Sequence, residues 1–291
     1  MTIQKKIQTE KADFKFSVII PTWNNLEFLK LCINSIRKNS TFKHQIIVHV
    51  NEGSDGTVDW LEEQKDVDYT YSKENIGICY ALNIARQLLK TDYLLYMNDD
   101  MYVLPEWDKF LNDEIETIGD KNFFLSATMI EPQTSNPAAI EFNCGNSLEN
   151  FDENKLLENF KNLEKADWSG ATWPPNIVHK DVWDLVGGYS IEFSPGMYSD
   201  PDFSMKLWQA DIRYFKGVGK SRVYHFAAKT TKRISKTSSN GYYKFIDKWG
   251  ITSKTFTDKF LQRGKPFVGK LTEPDISFTD KLNVKLKKIF R

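Results

Sequence analysis

The chain has 291 residues and carries 39 Lys and Arg against 39 Asp and Glu, a formal net charge of zero. With 41% hydrophobic and 27% charged residues it has the balance of a globular protein, not of a disordered or fibrous one. Neutrality excludes nucleic-acid binding by bulk charge, and three cysteines without a CxxC pair exclude a disulfide framework or a zinc ribbon. The cysteine usage predicts a reducing, cytoplasmic compartment. The first residues, MTIQKKIQTEKADF, lack the apolar core of a signal peptide. The longest apolar runs are strand-sized, so the reading is a soluble protein or at most a peripheral one.

Residues 1–15 are polar and read as a flexible lead-in. Phe16–Pro21 (FSVIIP) is a β-branched run closed by proline, the pattern of a buried strand. Leu26, Leu29, Ile33 and Ile36 then recur at helical spacing up to Lys38. Gln45–Val50 is a second buried strand, followed by the turn NEGSDG and a helix from about Thr57. Asp68–Ser72 predicts a third strand, Ile76–Leu89 a helix, and Tyr93–Met97 a fourth strand that ends in Asn98-Asp99-Asp100. This alternation predicts βαβ units and a mainly parallel sheet covered on both faces. Further on come a helix at Pro105–Thr117, a strand at Phe123–Met129, an amphipathic helix at Glu153–Lys165, a helix beginning at Asp200-Pro201 and a strand at Arg222–Phe226. Lys229–Gly241 is polar and basic and reads as a mobile loop.

Ligands of open parallel sheets bind beyond the carboxyl ends of the strands. Three such ends carry polar groups: Thr22-Trp23-Asn24, Asn51 to Gly56, and Asn98-Asp99-Asp100. The second is also the composition of a tight turn with a helix cap. Asp99 and Asp100 sit at the rim of an apolar core, where adjacent carboxylates repel unless a cation compensates them; a solvated acidic turn is the other reading. Asp200 and Asp202 fit a helix N-terminus with Pro201 at its first position, and fit equally a general base of raised pKa. His225 at the end of RVYHF is either structural or a ligand for an Mn²⁺-type ion.

Taken together, these residues resemble the family 2 glycosyltransferases of the GT-A fold. Val18-Ile19-Ile20-Pro21-Thr22-Trp23-Asn24 matches the family's opening strand and turn, and Asn51 to Thr57 its acidic Gly-Ser-Asp-Gly-Thr turn. Asn75-Ile76-Gly77 and Asn83 match its Asn-x-Gly motif and helical Asn, and Asn98-Asp99-Asp100 its DXD-type metal motif. Gly187-Gly188-Tyr189, Ser199-Asp200-Pro201-Asp202 and His225 complete an ordered series covering Phe16 to Trp249. The resemblance implies a GT-A (Rossmann-like) α/β domain over residues 16–228, followed by a basic loop and helical extension over 229–291. It also implies inverting transfer of a sugar from a nucleotide-sugar donor. Asp100, with Asp99 and His225, would bind Mn²⁺ or Mg²⁺. Pro21, Thr22, Asn24, Asn51, Asn75, Gly77, Asn83 and Asp99 would serve the donor, and Asp200 would deprotonate the acceptor hydroxyl.

Departures from the pattern are Asn51 in place of the usual acidic residue, Asn98 at the first DXD position and Ser199 before the base. UDP-sugar is the default donor. The QxxRW motif of processive synthases is missing, which favours addition of single sugars, as in cell-surface polysaccharide or glycolipid assembly. The alternative is a catalytically silent nucleotide-sugar-binding or scaffold protein of the same fold. The acceptor, a saccharide or a lipid-linked one, is expected beside Trp168, Gly170, Trp173 and Asp202. Residues 211–291 hold 20 Lys and Arg against 6 Asp and Glu, so the neutral total hides a basic carboxyl-terminal part. Lys232 and Arg233 are expected to close over the donor diphosphate. Phe278, Leu282, Leu286, Ile289 and Phe290 form a basic amphipathic helix with their neighbouring lysines, suited to peripheral contact with the inner face of an anionic membrane or to packing on the domain.

Overall fold

The computed structural model describes residues 2–10, 12–227, 238–277, 284 and 286–288, with the backbone alone at 238–240. Its centre is an 11-stranded sheet. The strands are β1 (Ile3–Lys6), β2 (Ser17–Trp23), β3 (Gln45–Asn51), β4 (Val67–Ser72), β5 (Tyr93–Tyr96), β6 (Met101–Val103), β7 (Phe123–Glu131), β8 (Ile140–Glu141), β9 (Trp168–Ser169), β10 (Asn176–His179) and β11 (Tyr214–His225). The main order is β1-β4-β3-β2-β5-β10-β7-β11-β6, with β8 beside β7 and β9 beside β11.

Strands β4, β3, β2 and β5 are parallel, as the alternating pattern predicts. Beyond them the sheet is mixed and not mainly parallel. β10 runs antiparallel to both β5 and β7, and β6 antiparallel to β11. β6 and β10 are too short for periodicity to mark them, and pairing with long neighbours holds them in place.

Apolar residues of the parallel strands alternate between the two faces, the period-two consequence of the pleat. Val18, Ile20, Ile46, Val48 and Leu95 pack on one side with Leu29, Cys32, Ile33 and Ile36 of α1 (Leu26–Asn39) and Trp107, Leu111 and Ile115 of α4 (Trp107–Ile118). Ile19, Ile47, Leu94 and Tyr96 face the other side. There they meet α3 (Gly77–Ala85), α6 (Lys180–Leu185) and α7 (Ser199–Gln209) through Cys79, Leu82, Trp183, Phe203 and Leu207. α2 (Thr57–Glu63) and α5 (Glu153–Asn159) complete this part of the chain, and α8 (Ser238–Trp249) follows it.

Several expectations are corrected. The lead-in is not loose throughout: Ile3–Lys6 pairs with the exposed edge of β4, and Gln8 and Thr9 donate backbone N–H groups to Asp68 Oδ1 (2.8 and 2.9 Å). An open edge recruits backbone, so polar side chains are no obstacle. β11 is twelve residues long: Lys216 and Gly217 break its apolar pattern without breaking its pairing with β7, and the strand runs on through an irregularity between Val218 and Arg222. The amphipathic helix near Glu153 stops at Asn159 and gives way to a 3₁₀ turn, Phe160–Asn162. α8 begins at Ser238, so the segment read as a loop through Gly241 ends in helix. Among the described residues no helix is long and apolar enough to cross a membrane. Of the basic tail, Lys287 lies 4.9 Å over the Tyr242 ring and Lys288 Nζ lies 3.6 Å from Asp247, so its described part packs on α8.

Candidate active site

The carboxyl ends of β2, β3 and β5 open into a cavity of about 320 Å³. Its described lining brings together Pro21, Thr22, Asn51, Asn75, Gly77, Asp99, Asp100, Asp200 and His225, residues up to 204 positions apart in the chain. Topology alone explains this convergence: each strand stops at the same rim, and its last polar side chains have nowhere else to point.

At the end of β2, Thr22 Oγ1 donates to Asp99 Oδ2 at 2.6 Å. Burial, then the neighbouring charge of Asp100, pushes the Asp99 carboxyl up to about 7. Asn51 Oδ1 accepts from Ile76 N (2.9 Å), and Asn75 Oδ1 from Gly77 N (2.9 Å), so two side chains brace the turn into α3. Gly77 has φ +77°, and a Cβ there would lie 2.6 Å from Pro195 Cα. Gly77→Ala is therefore expected to destabilise the fold by more than about 1 kcal/mol, since a side chain is strained at that φ and has no room. A lowered denaturant midpoint in urea unfolding checks it.

At the rim of β11, His225 Nδ1 lies 2.8 Å from Glu131 Oε1 and its Nε2 lies 3.5 Å from Asp100 Oδ1. Burial alone would favour the neutral ring, but Asp100 and Glu131 override it and raise the pKa to about 10. The acidic groups thus draw a positive charge to this corner. Glu131 fixes Nδ1 of the ring and leaves Nε2 beside Asp100, and a metal ion held by Nε2 would take the place of its proton. Among the described residues no group of three or more His, Cys, Asp or Glu is arranged to hold a metal ion unaided. The residues fit a cation that completes its shell with phosphate oxygens and water, the habit of Mg²⁺. The one sequence signal for Glu131 is that it is a charged residue ending the otherwise uncharged strand β7.

Across the cavity stands Asp200. The helix starts at Ser199 after Tyr198 in a left-handed conformation (φ 70°), so Asp200 is not the cap residue that its spacing from Pro201 suggests. Its Oδ1 accepts from the Tyr189 hydroxyl at 2.9 Å. Burial raises its pKa to about 7, while the Tyr189 hydrogen bond holds it down. Asn83 clamps both backbone groups of Tyr189, accepting from its N at 2.9 Å and donating to its O at 2.8 Å.

Other predicted site residues have structural work. Asn24 Oδ1 accepts from Ser54 N (2.9 Å), tying the first two strand-end turns together. Trp168 is buried in a slot made by Gly217, whose Cβ would lie 1.8 Å from its ring, and donates to Thr128 Oγ1 at 2.8 Å. Gly170 (φ +92°) lets the chain pass within 2.7 Å of Arg263 Cα, measured from a built Cβ. Trp173 carries the Arg263 guanidinium 4.5 Å above its ring. Asp202 is fully buried, accepting from Trp249 Nε1 (2.8 Å) and paired with Lys248 (2.9 Å), and it pins α8 to α7. None of these five is among the residues lining the cavity. Aromatic and acidic residues near glycines look like an acceptor platform in sequence, and packing claims them here. Lys232 and Arg233 lie outside the described residues. Lys248→Met leaves the Asp202 charge buried without its cation and is expected to cost about 3 kcal/mol. In a double-mutant cycle by urea unfolding, adding Asp202→Asn should recover part of that loss.

Comparison with known proteins agrees with this geometry. The family model described as glycosyl transferase family 2 matches residues 17–170, more than half of the chain. The chain belongs to glycosyl transferase family 2. Two curated glycosyltransferases are similar over short stretches. Glycosyltransferase GlyA of Streptococcus pneumoniae is 28% identical over 108 residues, 36% of this chain and 15% of that protein. The uncharacterized glycosyltransferase YfnE of Bacillus subtilis is 36% identical over 91 residues, 30% of this chain and 23% of that protein. The aligned stretches thus take in less than a quarter of either relative. Among solved structures, Staphylococcus aureus TarS (residues 1–349) superposes with a TM-score of 0.54 at 14% identity, covering 79% of this chain and 65% of that one. GalNAc-T7 with UDP, GalNAc and Mn²⁺ superposes with a TM-score of 0.59 at 15% identity, covering 84% and 50%. These likenesses establish the GT-A fold of this family 2 member.

Proposed function

We propose that this family 2 glycosyltransferase moves a single sugar from a nucleoside-diphosphate sugar, UDP-sugar in the first instance, to the hydroxyl of a saccharide or lipid-linked acceptor. The observation that carries the reading is the meeting of two unlike acidic groups in one cavity: Asp100 beside His225, and Asp200 bonded to Tyr189. The donor class is supported by neighbours solved with UDP, with UDP-GlcNAc, and with UDP, GalNAc and Mn²⁺.

Asp100 and His225 would hold Mn²⁺ or Mg²⁺, with Glu131 orienting the imidazole. The bound ion supplies positive charge to meet the charge that grows on the departing diphosphate. Pro21, Thr22 and Asn51 wall the nucleoside end, and Asp99, braced by Thr22, faces the ribose. Asp200 accepts the proton of the acceptor hydroxyl as its oxygen bonds to the anomeric carbon and the bond to the diphosphate breaks. A single displacement of this kind inverts the anomeric carbon. A carboxyl with a pKa near 7 is well matched to that task, because a base works best when its pKa lies near the operating pH.

The test is a panel of UDP-, GDP- and dTDP-sugars with Mn²⁺, read by thermal shift and by nucleoside diphosphate release. A donor that binds should raise the melting temperature, since it stabilises only the folded state. Stabilisation by no member of the panel would overturn the proposal. Stabilisation without release on any acceptor or on water would favour the silent binding protein.

A further inference from the structure

The reading of Asp200 as the base leaves open what aims it. We propose that Tyr189 is a positioning residue for that base: its hydroxyl pins Oδ1 of Asp200 and leaves Oδ2 to face the acceptor hydroxyl. This rests on the function proposed above.

Every freedom of Tyr189 is removed by a different neighbour. Asn83 holds its backbone on both sides. Its ring stacks on Phe203 (4.7 Å between centroids, planes 11° apart), three residues beyond Asp200 on α7, and meets Tyr96 edge-on at 6.0 Å. Gly188 permits the close turn, since a Cβ there would lie 2.3 Å from Asn83 Oδ1. Asn176, buried in β10, is held by donating its side-chain amide to Thr172 O at 3.3 Å, and it lies beside the Tyr189 phenol, where it opposes the effect of burial. The Tyr189 hydroxyl gives its one proton to Asp200 (2.9 Å).

A donor aimed at one carboxylate oxygen does two things. It selects which oxygen is left for the substrate, and it stabilises the charged form of the acid. The titratable groups that feel the Asp200 charge are Cys79 from α3, Tyr96 from β5 and Tyr189, while Asp202 lies two residues on within α7 and also acts on Cys79. Burial pushes the Cys79 thiol up to about 12 and the Tyr96 and Tyr189 phenols well above their ordinary range, so all three stay neutral at physiological pH. Asp202 is tied to Lys248, and Lys206, behind Gly188, donates to the carbonyls of Val186 and Gly188. Beside Cys79, Tyr96 and Tyr189, Asp200 is therefore the group that changes charge near neutrality.

The test needs no substrate. In full-length protein labelled with ¹³C at the aspartate carboxyls, the Asp200 resonance is assigned by its loss in Asp200→Asn and titrated. Tyr189→Phe keeps the ring and removes the donor, and is expected to move the Asp200 midpoint up by about one pH unit. With the donor found by the panel, its turnover should fall about tenfold at neutral pH with donor KM unchanged. An unmoved midpoint overturns the proposal. If Tyr189→Phe fails to fold, 3-fluorotyrosine at position 189, a stronger donor, should move the midpoint down, and an unmoved midpoint overturns the proposal equally. Full turnover in Asp200→Asn would instead overturn the base assignment itself, with the Tyr189–Asp200 bond still measured by the titration.

Discussion

Asp200→Asn is expected to slow sugar transfer by about 10²–10⁴-fold, the usual contribution of a positioned general base. The amide keeps an oxygen for the Tyr189 hydroxyl but has none that takes a proton. In the wild type, activity should rise with pH through about 7, where the Asp200 carboxyl ionises, and that acid limb should vanish in the variant. The same substitution carries an opposite consequence for stability. The folded pKa of Asp200 lies above its ordinary value of 3.8, so the folded state binds its proton more tightly than the unfolded state does. Between about 4 and 7 the wild type therefore loses stability as pH rises, and above about 7 the full cost is present. Asp200→Asn removes the cost. It should melt above the wild type at pH 8, with the gap closing towards pH 4. A variant less active and more stable at pH 8 distinguishes a strained functional carboxylate from a structural one. Equal or lower melting at pH 8 would count against the buried charge.

Asp100→Asn is the second substitution with a large effect. It removes the carboxylate closest to His225 Nε2, and Mn²⁺-dependent stabilisation by nucleoside diphosphate is expected to weaken by at least about 100-fold in apparent affinity. Glu131→Gln, one step further out, should weaken it by about 10- to 100-fold, because Glu131 orients the imidazole without facing the ligand. Titration of the thermal shift with Mn²⁺ at fixed UDP reads both. Identical UDP affinity with and without Mn²⁺ in the wild type would show that the acidic corner serves something other than a metal.

What could be read from the sequence follows a physical division. The parallel half was legible because strands buried on both faces, such as Ser17–Trp23 and Gln45–Asn51, write continuous apolar runs. Polar residues at their ends are conspicuous against that background, so Thr22, Asn51, Asp99 and Asp100 could be found. β6 and β10 were illegible because three or four residues carry no period, and their stability comes from strands distant in sequence. Asp202 and Trp168 are hard to read for a related reason. Each has the composition of a ligand-binding residue, and only the arrival of α8 and the missing Cβ of Gly217 turn them into packing. Glu131 was overlooked because its partner, His225, is 94 positions away.

The seam around Gly77 has a consequence for how such a protein diversifies. The segment that carries the proposed donor residues and the segment that carries the proposed base meet there on main-chain acceptors: Ile78 N donates to Pro195 O at 2.9 Å, and Ser194 Oγ to Ile76 O at 3.0 Å. Main-chain junctions are indifferent to most side-chain replacement. Substitutions on the outward surfaces of the second half leave such junctions intact, so Asp200 stays in register with Thr22, Asn51 and Asp99. Under the function proposed above, what receives the sugar can then be retuned without re-solving how the sugar is delivered.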